Sequence, residues 1–374
     1  MKIAIISVAP PFRGGISKHT SILIEKLSAT HSVDLINYSR QYPEFLFPGK
    51  SQYLEKIEIE PKKYWIDSIN PISWIKTSNY LSNRCYDLII FRFWNPFFTP
   101  ALGTIAKIIK ITSKNTKMIS LCDNIIPHEK ILFSNILIKY FLKRLDGHLI
   151  QSNQTKEELV KILQRPIYEK CFHPVYVNYP QKINKDLARE KLNLKAKNII
   201  LYFGLIREYK GFDILLEAVS ILKNSIKDFH LLVAGECYVD EKVYTKLINK
   251  LEIKEYITWH NRYIPDIDVN KYFSASDILA LPYRSASQSG VAQLSYFYDC
   301  PVIVTDVGGL PEIVEEKKSG FIINVEDPDE LASVLIKYLG TNQIDVMSNF
   351  IKEYKNKFSW KNFVGSIESL YTKI

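Results

Sequence analysis

The chain has 374 residues, a length typical of two domains, and its 47% hydrophobic and 24% charged residues exclude disordered, collagen-like and disulfide-scaffolded proteins. Residues 1–178 hold 24 basic and 14 acidic side chains, a net charge of +10, whereas the remainder carries −1. Such asymmetry indicates a polyanionic partner, either nucleic acid or an anionic membrane surface, with a solvated basic surface as the alternative.

The five cysteines are an odd number without a C-x-x-C pair or a Cys/His cluster, which favours a reduced, cytoplasmic chain without structural zinc. The first apolar run spans seven residues and ends at Pro10-Pro11, so it predicts a buried strand and not a signal peptide. No run approaches the ~18 uncharged apolar residues of a membrane-spanning helix. A cytoplasmic location follows, with peripheral attachment to the inner face of the cell membrane as a second expectation.

In the first half, short apolar runs alternate with helix-periodic segments. The runs predict strands at Ile3–Val8, Val33–Asn37, Leu88–Phe93, Met118–Cys122 and His148–Gln151. The periodic segments predict helices at Ile16–Ser28, Pro100–Ile111, Ile131–Lys143 and Thr155–Leu163.

The same alternation restarts after a polar stretch, Tyr179–Asn198. Strands are predicted at Ile199–Phe203, His230–Ala234, Ile257–Trp259, Asp277–Leu281 and Val302–Thr305, and helices at Asp213–Leu222, Glu241–Leu251 and Val291–Tyr298. Alternation of this kind predicts an α/β protein with two doubly wound parallel sheets, each binding ligands beyond the carboxyl ends of its strands. The cleft between two such domains is the expected active site.

Three loops carry candidate binding residues. Gly14 and Gly15 lie between the first strand and the first helix, where glycines and a helix N-terminus favour an anion, although a plain tight turn fits equally well. Gly204, Arg207 and Lys210 follow the strand at Ile199–Phe203, and the two cations suit a diphosphate.

The third loop, Leu281–Gln293, ends in small polar residues before a helix and offers further free N–H groups to a phosphate. A serine-rich helix cap is the alternative interpretation. The block from Pro301 to Val314 follows that helix.

With these loops and the final helix containing Trp360, the chain resembles family four of the retaining, nucleotide-sugar-dependent glycosyltransferases. The resemblance implies the GT-B fold, in which two facing Rossmann-like domains enclose the active site. It divides the chain into an acceptor-side domain, 1–178, a donor-binding domain, 179–355, and a C-terminal helix, 356–374, that crosses back to the first domain.

Carried over by resemblance, Arg207 and Lys210 pair with the donor diphosphate, and the Gly14-Gly15 loop faces the donor's phosphates and sugar. The family usually has two glutamates eight positions apart, whereas gapless alignment from Pro301 places Ala286 and Leu294 there. The expected substitutes for these glutamates are Gln288 and the backbone amides of Ser289, Gly290 and Val291. Glu312 is the nearest carboxylate, and a helix-capping role is the alternative for it.

Two residues compete for the catalytic role in the first domain. The segment Cys122–Glu129 follows a strand, as the family's active-site histidine segment does, and assigns that role to His128. Asp123, at the strand terminus, is the other candidate.

Three further features have ordinary structural interpretations. Asp266-Ile267-Asp268 and Asp327-Pro328-Asp329 spell the D-x-D metal motif, but both precede helix-like segments where aspartate is a common N-cap, so no metal is expected. His230 and His260 fit satisfied core residues. The segment Arg92–Phe98 fits either a stacking platform or a core cluster.

The expected activity is transfer of a sugar from a nucleoside diphosphate sugar to an acceptor hydroxyl with retention, in bacterial surface polysaccharide or glycolipid synthesis. The sugar nucleotide is a substrate, and no cofactor is expected. The basic first domain suits a saccharide or lipid-linked acceptor near an anionic membrane, and no nucleic-acid motif is present. The alternative is a degenerate sugar-nucleotide-binding protein or partner subunit on the same fold.

Overall fold

The computed structural model describes residues 1–47, 51–54, 64–127, 134–339, 341 and 343–374. Contacts divide them into two units, a first formed by Met1–Phe172 with Trp360–Ile374 and a second formed by His173–Ser359.

The strands of the first unit are β1 (Lys2–Ile6), β2 (Ser32–Arg40), β3 (Tyr64–Asp67), β4 (Leu88–Phe93), β5 (Lys117–Cys122), β6 (Gly147–Ile150) and β7 (Tyr168–Lys170). Its helices from the N-terminal part of the chain are α1 (Gly15–Ser28), α2 (Pro71–Ser82), α3 (Thr99–Thr112), α4 (Ser134–Leu142) and α5 (Asn153–Ile162).

The second unit contains the strands β8 (Asn198–Phe203), β9 (Phe229–Ala234), β10 (Ile257–His260), β11 (Ile278–Leu281), β12 (Val302–Thr305) and β13 (Gly320–Ile323). Its helices are α6 (Lys185–Lys191), α7 (Phe212–Ser225), α8 (Glu241–Lys250), α9 (Val269–Ala275), α10 (Gly290–Phe297), α11 (Pro328–Leu339) and α12 (Ile344–Tyr354). The last helix, α13 (Trp360–Lys373), returns to the first unit.

Both sheets are parallel. The first has the order β3-β2-β1-β4-β5-β6-β7 and the second the order β10-β9-β8-β11-β12-β13. The strand order changes direction between β1 and β4 and between β8 and β11, and at such a switch point a doubly wound sheet has its ligand-binding crevice, at the loops that follow β1 and β8. Buried aliphatic side chains fill β1, β4, β8 and β11, as expected of strands covered on both faces.

Helices cover the first sheet in two layers. Helix α2 packs against α3, and α3 packs against α4, whereas α1 contacts α13, which also packs on β6 and β7. A Cβ on Gly147 of β6 would lie 3.0 Å from Cδ1 of Leu370, so α13 closely covers this strand. Among the described residues, no helix combines the length and apolar character needed to cross a bilayer.

The predicted strands and helices are confirmed within a few residues at each end, except that residues 131–133 of one predicted helix lie outside the described part. The polar stretch Tyr179–Asn198, in which no element was predicted, contains α6. Asn184 caps it by accepting a hydrogen bond from the backbone N–H of Leu187 at 3.0 Å, and only Ala188 of this helix is buried.

Candidate functional site

The loops of the second unit converge around Gly204, which follows β8 directly. Its φ of +103° lies in the region that favours glycine. A Cβ at this position would lie 3.3 Å from Cγ2 of Val291 and 3.7 Å from Nζ of Lys210. The loop after β8, the turn that ends at Lys210 and the N-terminus of α10 therefore meet at one point. The structure thus brings together Gly204, Lys210 and Val291, three of the predicted donor-binding residues.

Lys210 closes a 3-10 turn, Glu208–Lys210, and its Nζ lies 5.2 Å from the centre of the Tyr283 ring. Burial, together with the charge of Arg207, lowers the pKa of Lys210 to about 8. The guanidinium of Arg207 lies 5.2 Å from the centre of the Tyr238 ring. The positive charges of Arg207 and Lys210 repel each other in this loop, and a bound anion would offset that repulsion.

The backbone beyond Lys210 admits only glycine. Gly211 has a φ of +63°, and a Cβ there would lie 1.9 Å from the carbonyl oxygen of Pro282. The loop that follows β11 therefore presses directly on the start of α7.

Arg284 braces the same contact. Its Nη1 and Nη2 donate to Oδ1 and Oδ2 of Asp213 at 2.9 and 2.7 Å, and its Nε donates to Glu326 at 2.7 Å. The backbone N–H of Arg284 donates to the carbonyl of Tyr209 at 2.7 Å. This bidentate pair fixes the two loops that carry the cations and the small polar residues. The sequence placed Arg284 in a candidate loop but gave no reason to assign it this bracing role.

The N-terminus of α10 has a specific construction. The side chain of Ser289 accepts a hydrogen bond from the N–H of Ala292 at 3.3 Å, so this serine is the helix cap. Gly290 faces Tyr176, because a Cβ would lie 2.8 Å from the tyrosine hydroxyl. The hydroxyl of Ser289 is thus engaged as a cap, which leaves the backbone amides at Gly290 and Val291 as the free donors expected there.

Four buried polar atoms in the same segment have no hydrogen-bond partner within the described part of the chain. They are Oγ of Ser287, Oε1 of Gln288, and Oε1 and Nε2 of Gln293. Ser287 and Gln293 are each only 1% exposed. Because nearly all buried polar atoms are hydrogen-bonded, a cluster of orphaned ones indicates an absent polar ligand or ordered water. Sequence reasoning missed Ser287 and Gln293 as site residues, since burial could not be inferred at these two positions.

Glu312 lies half-buried in the 3-10 turn Pro311–Ile313, after β12. The remaining predicted residues belong to the first unit. Gly14 is the N-cap of α1 with a φ of +110°, and Gly15 begins the helix, so free N–H groups lie at the carboxyl end of β1 as expected. His128 lies outside the described residues.

Asp123 lies in a buried polar network at the carboxyl ends of β4, β5 and β6. Its carboxylate accepts two hydrogen bonds from Arg92 and one, at 3.1 Å, from Nε2 of Gln151. Nη1 of Arg92 lies 2.7 Å from Nδ1 of His19. Since arginine can only donate, Nδ1 of His19 is the acceptor and the imidazole is the neutral Nε2–H tautomer. The cation of the Arg92–Phe98 segment is therefore internal, and Phe93 and Phe98 belong to the core.

The D-x-D segments and the two histidines of the second unit have local partners. Asp327 accepts the N–H of Glu330 at 2.8 Å as a cap of α11, whereas Asp268 pairs with Lys271 at 2.5 Å and does not cap α9. His230 bonds to Thr258 and His260 bonds to Tyr272, each at 2.8 Å, so both are hydrogen-bonded as predicted, although they are half-buried and do not lie in the core.

Comparison with known proteins identifies this arrangement. Residues 197–341 match the family described as Glycosyl transferases group 1. The matched part runs from β8 to α11. It includes Gly204, Lys210 and the α10 segment, so the converging loops lie within the part of the chain that is similar to these glycosyltransferases.

The D-inositol 3-phosphate glycosyltransferase of Corynebacterium urealyticum is 27% identical to the chain over 195 residues, 50% of the chain and 46% of that protein. The chain spans about half the length of this relative, as it does for the spore coat protein SA of Bacillus subtilis, which is 24% identical over 54% of the chain and 56% of that protein.

Solved structures match over the whole chain. Sucrose-phosphate synthase from Thermosynechococcus elongatus superposes with a TM-score of 0.78 at 19% identity, covering 100% of the chain and 98% of that structure. Anabaena Alr3699/HepE in complex with UDP gives 0.71 at 15% identity, with 100% of both chains covered. Together with the two parallel sheets, these similarities confirm the predicted fold class, two Rossmann-like α/β domains of the GT-B fold.

Proposed function

We propose that the protein transfers a glycosyl group from a nucleoside diphosphate sugar to an acceptor hydroxyl, with retention of configuration and without a metal. The observation that carries the proposal is the convergence of Lys210, Val291 and Gly204 beside the orphaned polar atoms of Ser287, Gln288 and Gln293. It provides cations and free amides for a diphosphate next to uncharged hydrogen-bonding groups suited to sugar hydroxyls.

The difficult step is departure of the nucleoside diphosphate. The bond between the anomeric carbon and the leaving oxygen breaks, and both electrons go to the β-phosphate. Arg207, Lys210 and the amides at the start of α10 would neutralise this developing charge, a role that a divalent cation fills in other enzymes. The Arg284–Asp213 brace keeps these donors in place before the charge develops.

Retention follows from the family resemblance. The acceptor hydroxyl attacks the same face of the sugar that the diphosphate leaves, and its proton passes to the departing phosphate oxygen. Ala286 and Leu294 occupy the positions of the usual glutamate pair, so the sugar must be held by other groups. The buried side chains of Ser287 and Gln293 and the half-buried side chain of Gln288 are the proposed replacements, because each has a buried polar atom without a partner in the described residues.

The acceptor is proposed to be a saccharide or a lipid-linked saccharide of bacterial surface polysaccharide or glycolipid synthesis. In the first unit, the Gly14-Gly15 loop is proposed to face the phosphates and sugar of the donor, and either His128 or Asp123 is the proposed catalytic residue. The net charge of +10 in residues 1–178 favours an acidic or diphosphate-linked acceptor.

Thermal unfolding with excess UDP, GDP, ADP or CMP tests the donor site. UDP is the first choice, because the fold neighbour Alr3699/HepE was crystallised with UDP. A nucleotide at about 100 times its Kd stabilises by about 2.7 kcal/mol. A shift with one nucleoside diphosphate that is lost in Arg207→Ala supports the proposal.

Transfer itself is tested by nucleotide release from the stabilising sugar nucleotide, with and without saccharide acceptors. Release that depends on an acceptor supports a transferase. Nucleotide binding without release on any acceptor would instead support the degenerate binding protein that the loss of the glutamate pair allows.

A further inference from the structure

Three neighbouring helices of the first unit contain no acidic residue. Helices α2, α3 and α4 pack side by side and together hold four lysines, Lys76, Lys107, Lys110 and Lys139, without one aspartate or glutamate. By contrast, α1 contains Glu25 and α13 contains Glu368. Helix α5, which contacts α4, contains Glu157 and Glu158. The three helices α2, α3 and α4 thus carry positive charges alone, and we call their exposed surface the acid-free face.

All four lysines of the acid-free face are exposed. Lys110 pairs with Asp146 at 2.6 Å, whereas Lys76, Lys107 and Lys139 form no ion pair within the described part of the chain. Their charge is therefore available to an external partner.

Exposed isoleucines lie among these lysines. Ile72 is 63% exposed and Ile75 49% on α2, Ile111 is 67% exposed on α3, and Ile136 is 68% exposed on α4. Helices α1 and α13, in contrast, contribute none of the large hydrophobic side chains that are exposed in the described residues. Exposed lysines and exposed isoleucines therefore lie on the same three helices of the first unit.

We propose that the acid-free face binds an anionic lipid bilayer, with lysines at the phosphate headgroups and isoleucines at the edge of the acyl chains. A nucleic acid would interact favourably with the lysines alone, because its phosphate backbone makes no favourable contact with exposed isoleucines. An anionic bilayer interacts favourably with both the lysines and the isoleucines. This inference does not depend on the glycosyl transfer proposed above, since membrane binding is measured without a donor or an acceptor.

The test is flotation of the full chain with vesicles of phosphatidylglycerol and phosphatidylethanolamine, and with vesicles of phosphatidylcholine alone. The variant Lys76→Glu/Lys107→Glu/Lys139→Glu reverses three charges on the face. The control Lys26→Glu/Lys361→Glu/Lys373→Glu makes the same change in net charge on α1 and α13. Because each basic residue near an anionic surface contributes roughly a fivefold factor, the first variant should bind about a hundredfold more weakly.

The proposal is supported if the wild type and the control bind the anionic vesicles, the first variant does not, and none binds phosphatidylcholine. Equal loss in both variants would overturn it, because net charge and not this face would then explain binding. Unchanged binding of the first variant would overturn it as well. Thermal unfolding of both variants, with and without nucleotide, checks that the fold and the donor site are intact.

A second variant tests the apolar contribution. Ile72→Ser/Ile136→Ser leaves every charge in place and should lower vesicle affinity at least severalfold, since a transferred aliphatic side chain contributes favourably. Unchanged affinity would contradict insertion of these side chains. If duplex DNA or RNA binds through the same three lysines at physiological salt more tightly than the vesicles do, the face is a nucleic-acid surface and the lipid assignment is wrong.

Discussion

Arg92 and Asp123 form a bidentate ion pair in the interior of the first unit. Nε of Arg92 donates to Oδ2 at 2.7 Å and Nη2 donates to Oδ1 at 2.8 Å. Arg92 is 2% exposed and Asp123 is 3% exposed. The two residues come from the neighbouring strand β4 and from the loop after β5, so the pair joins the carboxyl ends of two central strands.

Loss of the Asp123 charge should destabilise the first unit. In Asp123→Asn, the guanidinium of Arg92 stays buried without its counter-charge, which costs about 3–5 kcal/mol. Urea unfolding measures the change. The paired variant Arg92→Met/Asp123→Leu removes both charges and should recover most of the lost stability, because no unpaired charge then remains.

Asp123→Asn and His128→Ala discriminate between the two catalytic candidates. His128→Ala should lose transfer with unfolding unchanged if the histidine contacts the reacting sugar. If Asp123→Asn instead unfolds like the wild type but has lost all transfer, the aspartate is the catalytic residue and its structural role is secondary.

Nucleotide binding should weaken as pH rises through the pKa of Lys210, about 8. Below this pH the free protein holds the charged ammonium that a diphosphate needs. Above it the amine is neutral, and binding must take up a proton, so affinity falls by up to about tenfold per pH unit. Calorimetry with a sugar nucleotide between about pH 6.5 and pH 9 measures the change. In Lys210→Arg this step should be absent, since arginine stays protonated; an identical profile would assign the titration to another group.

Gln293→Leu should separate stability from recognition. The buried amide of Gln293 has no partner within the described residues, so an aliphatic side chain of similar size should leave the free energy of unfolding unchanged or raise it. Affinity for the sugar nucleotide should fall by about 1–3 kcal/mol, whereas affinity for the bare nucleoside diphosphate should not change. Titration of the protein with each ligand measures the two affinities. An equal loss of affinity for both ligands would show that the amide does not contact the sugar.

Gly211→Ala should destabilise the second unit. A Cβ at Gly211 would lie 1.9 Å from the carbonyl oxygen of Pro282, and its φ is +63°. We expect a loss of at least about 2 kcal/mol together with weaker nucleotide binding. Gly365→Ala is the matched control, because a Cβ there meets nothing within 4 Å and the residue is helical. The control should gain about 0.5–1 kcal/mol; equal thermal midpoints for the two variants would contradict the steric argument.

Much of the fold could be predicted because buried parallel strands have continuous apolar runs. Three missed elements, β7, β3 and α6, lack that signal, whereas β13 was missed although it is apolar and largely buried. Strand β7 has three residues, none of them fully buried, and β3 follows a polar stretch that hides its start. Helix α6 is held by its Asn184 cap and a single buried alanine, so an apolar periodicity could not indicate it.

The site was predictable where backbone conformation demands a residue type. The spacing of the glycine and the cations after β8 indicated the loop in which Gly204 and Lys210 lie close together, and the role of this loop in donor binding stays a prediction. The unpartnered atoms of Ser287 and Gln293 were not predictable, because the sequence does not distinguish a buried polar side chain from an exposed one. The partner of Asp123 was hidden for another reason, since 31 positions separate it from Arg92 and only the sheet order makes them neighbours.

Helix α13 also determines when the first unit can finish folding. This unit consists of Met1–Phe172 and Trp360–Ile374, and the ring of Trp360 lies 4.8 Å from that of His19 in α1. During synthesis, the whole second unit leaves the ribosome before the helix that covers β6 and β7. The apolar surface that this helix covers therefore stays exposed until translation ends, and we expect the incomplete first unit to be prone to aggregation during that time. An isolated first domain would need residues 360–374 spliced after residue 172 to fold on its own.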